Sequence, residues 1–154
     1  MIVKRDPLST NTAPLVIAAA LCEYVLREPD NAVSLIRIVD KIIMTYKGDT
    51  LPSPIPMVTL QQHFFISLRS GNYTGEHRIS VTWRRPSGVA NEVMHQTVDF
   101  LGGISKVDIF GRLDLLTNEA GTHSFDLYAG KKYLTTVALE LLFEAESKQR
   151  AGPA

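Results

Sequence analysis

The sequence predicts an all-β domain, a single antiparallel β-sandwich of about eight strands. Three observations carry that expectation. Short runs rich in Val, Ile, Leu, Thr and aromatic residues recur along the chain, separated by Gly, Pro, Asn and Asp turn signals. Within most runs the apolar residues alternate, as they do in strands with one buried face. A helix is hard to place: the best candidate is a short turn from Leu101 to Lys106, which Gly102 and Gly103 weaken.

Residues 1–13 show no periodicity and form an irregular N-terminal arm. Residues 14–144 are the sandwich domain, and 145–154, polar with Gly and Pro, a flexible tail. Strands are expected at 15–26, 32–43, 60–69, 76–85, 92–101, 106–117, 122–129 and 132–143. In 60–69 the even residues Leu60, Phe64, Ile66 and Leu68 are apolar, and in 76–85 the odd residues Ile79, Val81 and Trp83. A hairpin through "SGNYTG" sets Phe64 opposite Val81 and Ile66 opposite Ile79, with both apolar faces on one side. The next turn, "RPSG", sets Met94 opposite Val81 and Val98 opposite His77. In 106–117 Val107, Ile109, Leu113 and Leu115 point together. A three-residue loop around Gly130 aligns Phe125 and Leu127 with Val137, Leu139, Leu141 and Phe143.

The first two strands, "LVIAAAL" and "SLIRIVDKII", are apolar on both parities, which suits strands covered on both faces by the chain's own loops, the arm or a second subunit. The segment "TYKGDTLPSPIPMVT" carries Pro52, Pro54 and Pro56 and is excluded from a central strand. It reads as a stiff crossover between sheets or a partner-binding loop.

The 154 residues suit one domain, and 45% apolar with 21% charged composition is that of an ordinary globular protein. Sixteen basic and sixteen acidic residues cancel, which gives nucleic-acid binding no support. The single cysteine, Cys22, excludes an intramolecular disulfide and fits a reducing compartment. A lipoprotein-like leader ending at Cys22 is disfavoured: Leu21 stands where such a signal has a small residue, and "EYVLREPDN" continues as strand and turn. No run approaches the roughly 20 apolar residues that span a bilayer, so a cytoplasmic protein is expected. "NYT" at Asn72 to Thr74 matches a glycosylation sequon and reads as turn.

Catalytic motifs are missing. Neither a phosphate loop nor GXSXG occurs, and one cysteine excludes zinc sites built on paired cysteines. Of the histidines, His77 and His123 face inward by parity while His63 and His95 face outward, so no metal site is expected. Asp108, Asp114 and Asp126 on wet strand faces lack the cleft and the buried acid that glycoside hydrolysis needs. No enzyme and no cofactor are expected. Outward parity puts Phe65, Phe110 and Tyr128 on the surface, where aromatics anchor protein interfaces or stack on sugars. The candidate partner-binding residues are therefore Pro52, Pro54, Pro56, Phe65, Phe110 and Tyr128. The expected role is a protein-interaction or assembly module; the alternative is a carbohydrate- or small-ligand-binding sandwich.

"EAGTHSFDL", Glu119 to Leu127, resembles the start of the penultimate strand of immunoglobulin-like domains, with His123 at the place of the corner tyrosine and Phe125 at that of the cysteine. Trp83 matches their core tryptophan. A likeness covering roughly residues 15 to 142 is carried by "ALCEYVLREPDNAVSLIRIVDKI", "GEHRISVTWRRPSG" and "EAGTHSFDLYAGKKYLTTVALEL". These resemble an uncharacterised family of small bacterial β-sandwich proteins of unknown function. The resemblance implies an all-β sandwich in the bacterial cytoplasm and carries over no catalytic residue.

Overall fold

A computed structural model of the chain describes residues 13–146. The arm expected at 1–13 lies outside the described residues except for Ala13, as does the tail from 147 onward. Everything regular is strand: β1 (Leu15–Arg27), β2 (Val33–Ile38), β3 (Lys41–Lys47), β4 (Val58–Arg84), β5 (Ala90–Thr117), β6 (Gly121–Ala129) and β7 (Lys132–Glu146). The tail boundary expected at 145 shifts, because β7 continues through Glu146.

The seven strands form one hydrogen-bonded sheet in the order β2-β1-β4-β6-β7-β3, with β5 also paired to β4. All pairs are antiparallel except β3 and β7, which run parallel from Lys41 beside Glu140 to Lys47 beside Glu146. That corrects the expectation of a purely antiparallel arrangement. The all-β class stands.

The strand count changes for two local reasons. The run 32–43 breaks into β2 and β3 at Val39–Asp40, just after Arg37 takes a φ of 53°. Val39 N–H bonds to Leu21 O at 2.8 Å, and Glu140 N–H to Asp40 O at 2.9 Å, so this corner passes the chain from β1 to β7. Conversely, the runs 60–69 and 76–85 are one strand of 27 residues, and 92–101 with 106–117 one of 28. The hairpin expected at "SGNYTG" does not form. Phe64 pairs with Gly111 and Ile66 with Ile109, and the short helical turn expected at Leu101–Lys106 is strand. The expected pairs Val81–Met94 and His77–Val98 are present.

The parities themselves are right. Leu60, Phe64, Ile66 and Leu68 are buried on even positions of β4, and Ile79, Val81 and Trp83 on odd ones. β5 changes phase the same way, from Val98 and Phe100 to Ile109, Leu113 and Leu115. The switch falls where the β4–β5 register shifts, around Gly71 and Thr74 opposite Gly103 and Leu101. Such an irregularity bends a strand pair and re-aims its faces. Gly71, Gly102 and Gly103 there have φ of 57°, 85° and 63°, conformations open to glycine.

The bend lets one ribbon serve two neighbours. The first half of β4 pairs with β1 (Leu21 beside Phe64), and its second half with β6 (Trp83 beside Phe125). One buried cluster draws on β1, β4, β5, β6 and β7, and the rings of Phe64 and Phe125 meet at 6.0 Å. β6 and β7 join through Gly130–Lys131, two residues rather than three, and share their buried face as expected, with Phe125 beside Val137 and His123 beside Leu139.

Candidate functional site

The expected site residues fall in three separate places. Pro52, Pro54 and Pro56 lie between β3 and β4, with Pro54 and Pro56 exposed. Their loop is tied down, because Ile55 packs on the core and its carbonyl accepts from Asn118 Nδ2 at 3.1 Å. Phe65 lies seven residues beyond Val58 along β4, roughly 23 Å at strand rise. Tyr128 sits on β6, opposite Ser80 and Tyr133.

Phe65 is corrected from surface to interior: it is only 6% exposed. Its parity is as expected, since it lies outside the central cluster and pairs with Phe110 on the opposite face. That face is covered where the second half of β1 crosses it. Arg27 sets its guanidinium 5.8 Å from the centre of the Phe110 ring, Glu23 O accepts from His63 Nδ1 at 2.7 Å, and Tyr24 lies 5.9 Å from the His63 ring. Phe110 keeps 39% exposure beneath Arg27. Tyr128 is half-buried and meets Tyr133 edge-on at 6.0 Å. Nearby, Tyr133 Oη donates to Thr136 Oγ1, which donates to Asp126 Oδ1, and Asp126 pairs with Arg84 at 3.3 Å.

The crossing of β1 creates two adjoining concave features. A cleft of about 260 Å³ is lined by Glu23, Tyr24, Gln61, Gln62, His63 and Arg112. A second, of about 340 Å³, shares Glu23 and Gln62 and continues along Arg37 to Ile42. His63 stands opposite Arg112, and Gln61 opposite Asp114. Glu23 pairs with Arg37 at 3.2 Å and Arg112 with Asp114 at 3.1 Å, while Gln62 Oε1 is buried without a hydrogen-bond partner. The sequence reading weighed His63 only as a metal ligand and Asp114 only as an acid, and passed over Glu23, Tyr24, Gln61, Gln62 and Arg112. Gln61 and Gln62 look like ordinary strand polar residues, and only the path of β1 gathers them.

The face of the β1–β2 hairpin that carries Tyr24 is apolar and open. Leu26, Ile36 and Ile38 are 46%, 38% and 66% exposed, with Tyr24 at the border. Tyr24 pairs with Ile36 and Cys22 with Ile38, which aligns these residues on one face.

Cys22 is fully buried, and burial pushes its thiol pKa up, keeping it protonated and inert. His123 is held between Trp83 and Glu119, and His95 lies 3.0 Å from Glu92. The guanidinium of Arg78 forks onto Glu92 and lowers its carboxyl pKa. Among the described residues, no group of three His, Cys, Asp or Glu side chains is placed to hold a metal ion, and no helix is long and apolar enough to cross a membrane.

No protein-family model and no curated protein sequence matches the chain. Among solved structures it is similar to a β-glucosidase from Listeria innocua in complex with glucose, at 11% identity and a TM-score of 0.46, over 58% of this chain and 16% of that one. The same enzyme in complex with gluconolactone matches at 9% identity and a TM-score of 0.46, over 84% and 16%. The Pseudomonas fluorescens alkylpurine DNA glycosylase AlkC, bound to DNA containing an abasic site analog, matches at 9% identity and a TM-score of 0.41, over 80% and 30%. The chain thus spans under a third of each protein's length. At these identities and scores the likenesses transfer neither activity nor fold family.

Proposed function

We propose that the protein is a non-catalytic assembly module whose partner is a second copy of itself. The observation that carries this reading is the open apolar face of the β1–β2 hairpin, with Leu26, Ile36 and Ile38 aligned on it. Grouped apolar side chains on a surface favour burial against a partner. Two further features support self-pairing. β2 is an edge of the sheet, so its backbone groups can extend the ladder across a two-fold axis. The net charge of zero leaves two copies without mutual repulsion.

The fold reading attached to this proposal is a two-layer sandwich of immunoglobulin-like or related topology, made by folding the single sheet at the β4–β5 bend. The meeting of Phe64 and Phe125 supports it. A cytoplasmic location in a bacterium belongs to the same reading and rests on the sequence resemblance.

Sedimentation velocity over a concentration series tests the assembly. The expected species is a dimer of the 17.1 kDa chain, converted to monomer by Ile38→Glu with its melting temperature unchanged. A monomer at every concentration overturns self-assembly and leaves a different protein as the partner to seek.

A further inference from the structure

The geometry points to a second binding site in the cleft beside the β1 crossing, for a neutral, polyhydroxylated ring such as a pyranose sugar. This site borders the proposed assembly face at Tyr24, which stands opposite Ile36 on the same side of the hairpin.

Charge is the first argument. The cleft holds an acid and a guanidinium, but each is already neutralised, Glu23 by Arg37 and Arg112 by Asp114. A phosphate or carboxylate would have to displace an existing carboxylate from a guanidinium. A neutral ligand need not.

Hydrogen-bonding capacity is the second. Gln62, only 9% exposed, shares the parity of Leu60 and Phe64 and stands opposite Leu113, so its side-chain oxygen, which has no protein partner, serves the adjoining cleft past Glu23. An unpartnered buried amide oxygen calls for a donor, and leaving it unmet costs about 1–3 kcal/mol. The carbonyl of Glu23 can only accept, so the bond at 2.7 Å puts a proton on His63 Nδ1. In the neutral ring Nε2 is then an acceptor. Gln61 adds an exposed amide with both a donor and an acceptor end. Hydroxyl groups, which donate and accept alike, complement such a set.

Shape is the third. The Tyr24 ring is 60% exposed and stands 5.9 Å from His63, giving an aromatic wall for the apolar C–H face of a sugar. At about 260 Å³ the cleft falls just below the roughly 300–1,000 Å³ range of drug-sized pockets. It therefore suits one ring, and the adjoining cleft past Glu23 and Gln62 gives a second ring a direction to extend.

Saturation-transfer NMR with glucose, galactose, mannose, xylose and cellobiose, and a parallel titration with inorganic phosphate, tests the site. At least one neutral sugar should bind, phosphate should not, and Tyr24→Ala and Gln61→Ala should each weaken that sugar about tenfold or more. Both side chains are exposed, so these variants should fold, which their melting curves verify. Repeating the titration in Leu26→Glu, a change on the assembly face at a residue that lines neither cleft, separates the two proposals, since sugar binding should persist in the monomer. Binding of phosphate alone, binding of nothing, or sugar binding unchanged by both substitutions overturns the assignment.

Discussion

The indole Nε1 of Trp83 donates to Nδ1 of His123 at 3.1 Å, and His123 Nε2 bonds to the carbonyl of Glu119 at 2.8 Å. An indole N–H only donates and a carbonyl only accepts, so the ring carries its proton on Nε2. His123 is fully buried and stacks on Trp83 at 5.8 Å. The ring thus bonds back to a carbonyl four residues upstream and takes a bond from the buried Trp83 as well.

Replacing His123 with Phe keeps the ring and removes both bonds. The indole N–H of Trp83 then remains buried without a partner, at a cost of about 1–3 kcal/mol. Urea unfolding of His123→Phe should show a lower midpoint with an unchanged slope. A wild-type midpoint would mean that the pair contributes nothing to stability.

Glu119 supplies the pH-dependent part of the same corner. The Ser87 backbone N–H and hydroxyl both donate to its carboxylate, and they hold its pKa below the usual range, with Arg85 nearby adding to the shift. A carboxylate with a depressed folded-state pKa adds stability above its unfolded value and loses it as pH falls through the folded value. The stability gap between wild type and Glu119→Gln should therefore be present at neutral pH and close in acid. Denaturant melts across the acid range give that gap directly.

Phe65 separates parity from exposure. A surface aromatic would accept Phe65→Glu with no loss of fold. With 6% exposure beneath the β1 crossing, the substitution should cost about 3 kcal/mol or more, because it buries a carboxylate and loses the ring. Circular dichroism melting of Phe65→Glu decides, and a native melting temperature would mean that the β1 crossing opens readily.

Gly102 and Gly103 offer a matched pair at the ribbon bend. A Cβ on Gly102 would lie 3.0 Å from Thr74 Cγ2, whereas one on Gly103 meets nothing within 4 Å. Both have positive φ, so alanine at either should cost about 1 kcal/mol in backbone strain. Gly102→Ala should cost more by the added contact, and equal melting temperatures for the two variants would show that Thr74 moves aside freely.

Which residues face the core was legible from alternation alone, because side chains on a strand change sides at every residue. Leu60, Phe64, Ile79, Val81, Leu139 and Leu141 are all buried as their parity requires. Strand ends were less legible, since a phase change between Leu68 and Ile79 is produced equally by a turn and by a bend within one strand. The parallel pairing of β3 with β7 leaves no local mark, as neither sequence indicates its neighbour. The cleft was hidden for a related reason. Tyr24 is far from Gln61 and Arg112 in the chain, and only the path of β1 brings them together.

That parallel pairing sets the order in which the protein can be completed. The ribosome releases β3 long before β7, and among the described strands β7 alone flanks β3. Ile42, Met44 and Tyr46, which pack against the finished core, must wait for Leu141 and Phe143 to be synthesised. During that interval the nascent chain carries an apolar strand without its β7 partner, flanked at its two ends by the charges of Lys41 and Lys47, the kind of residue that discourages pairing with another chain. β7 therefore completes the ladder of β3, and the full pairing of β3 arrives only once synthesis has passed Glu146.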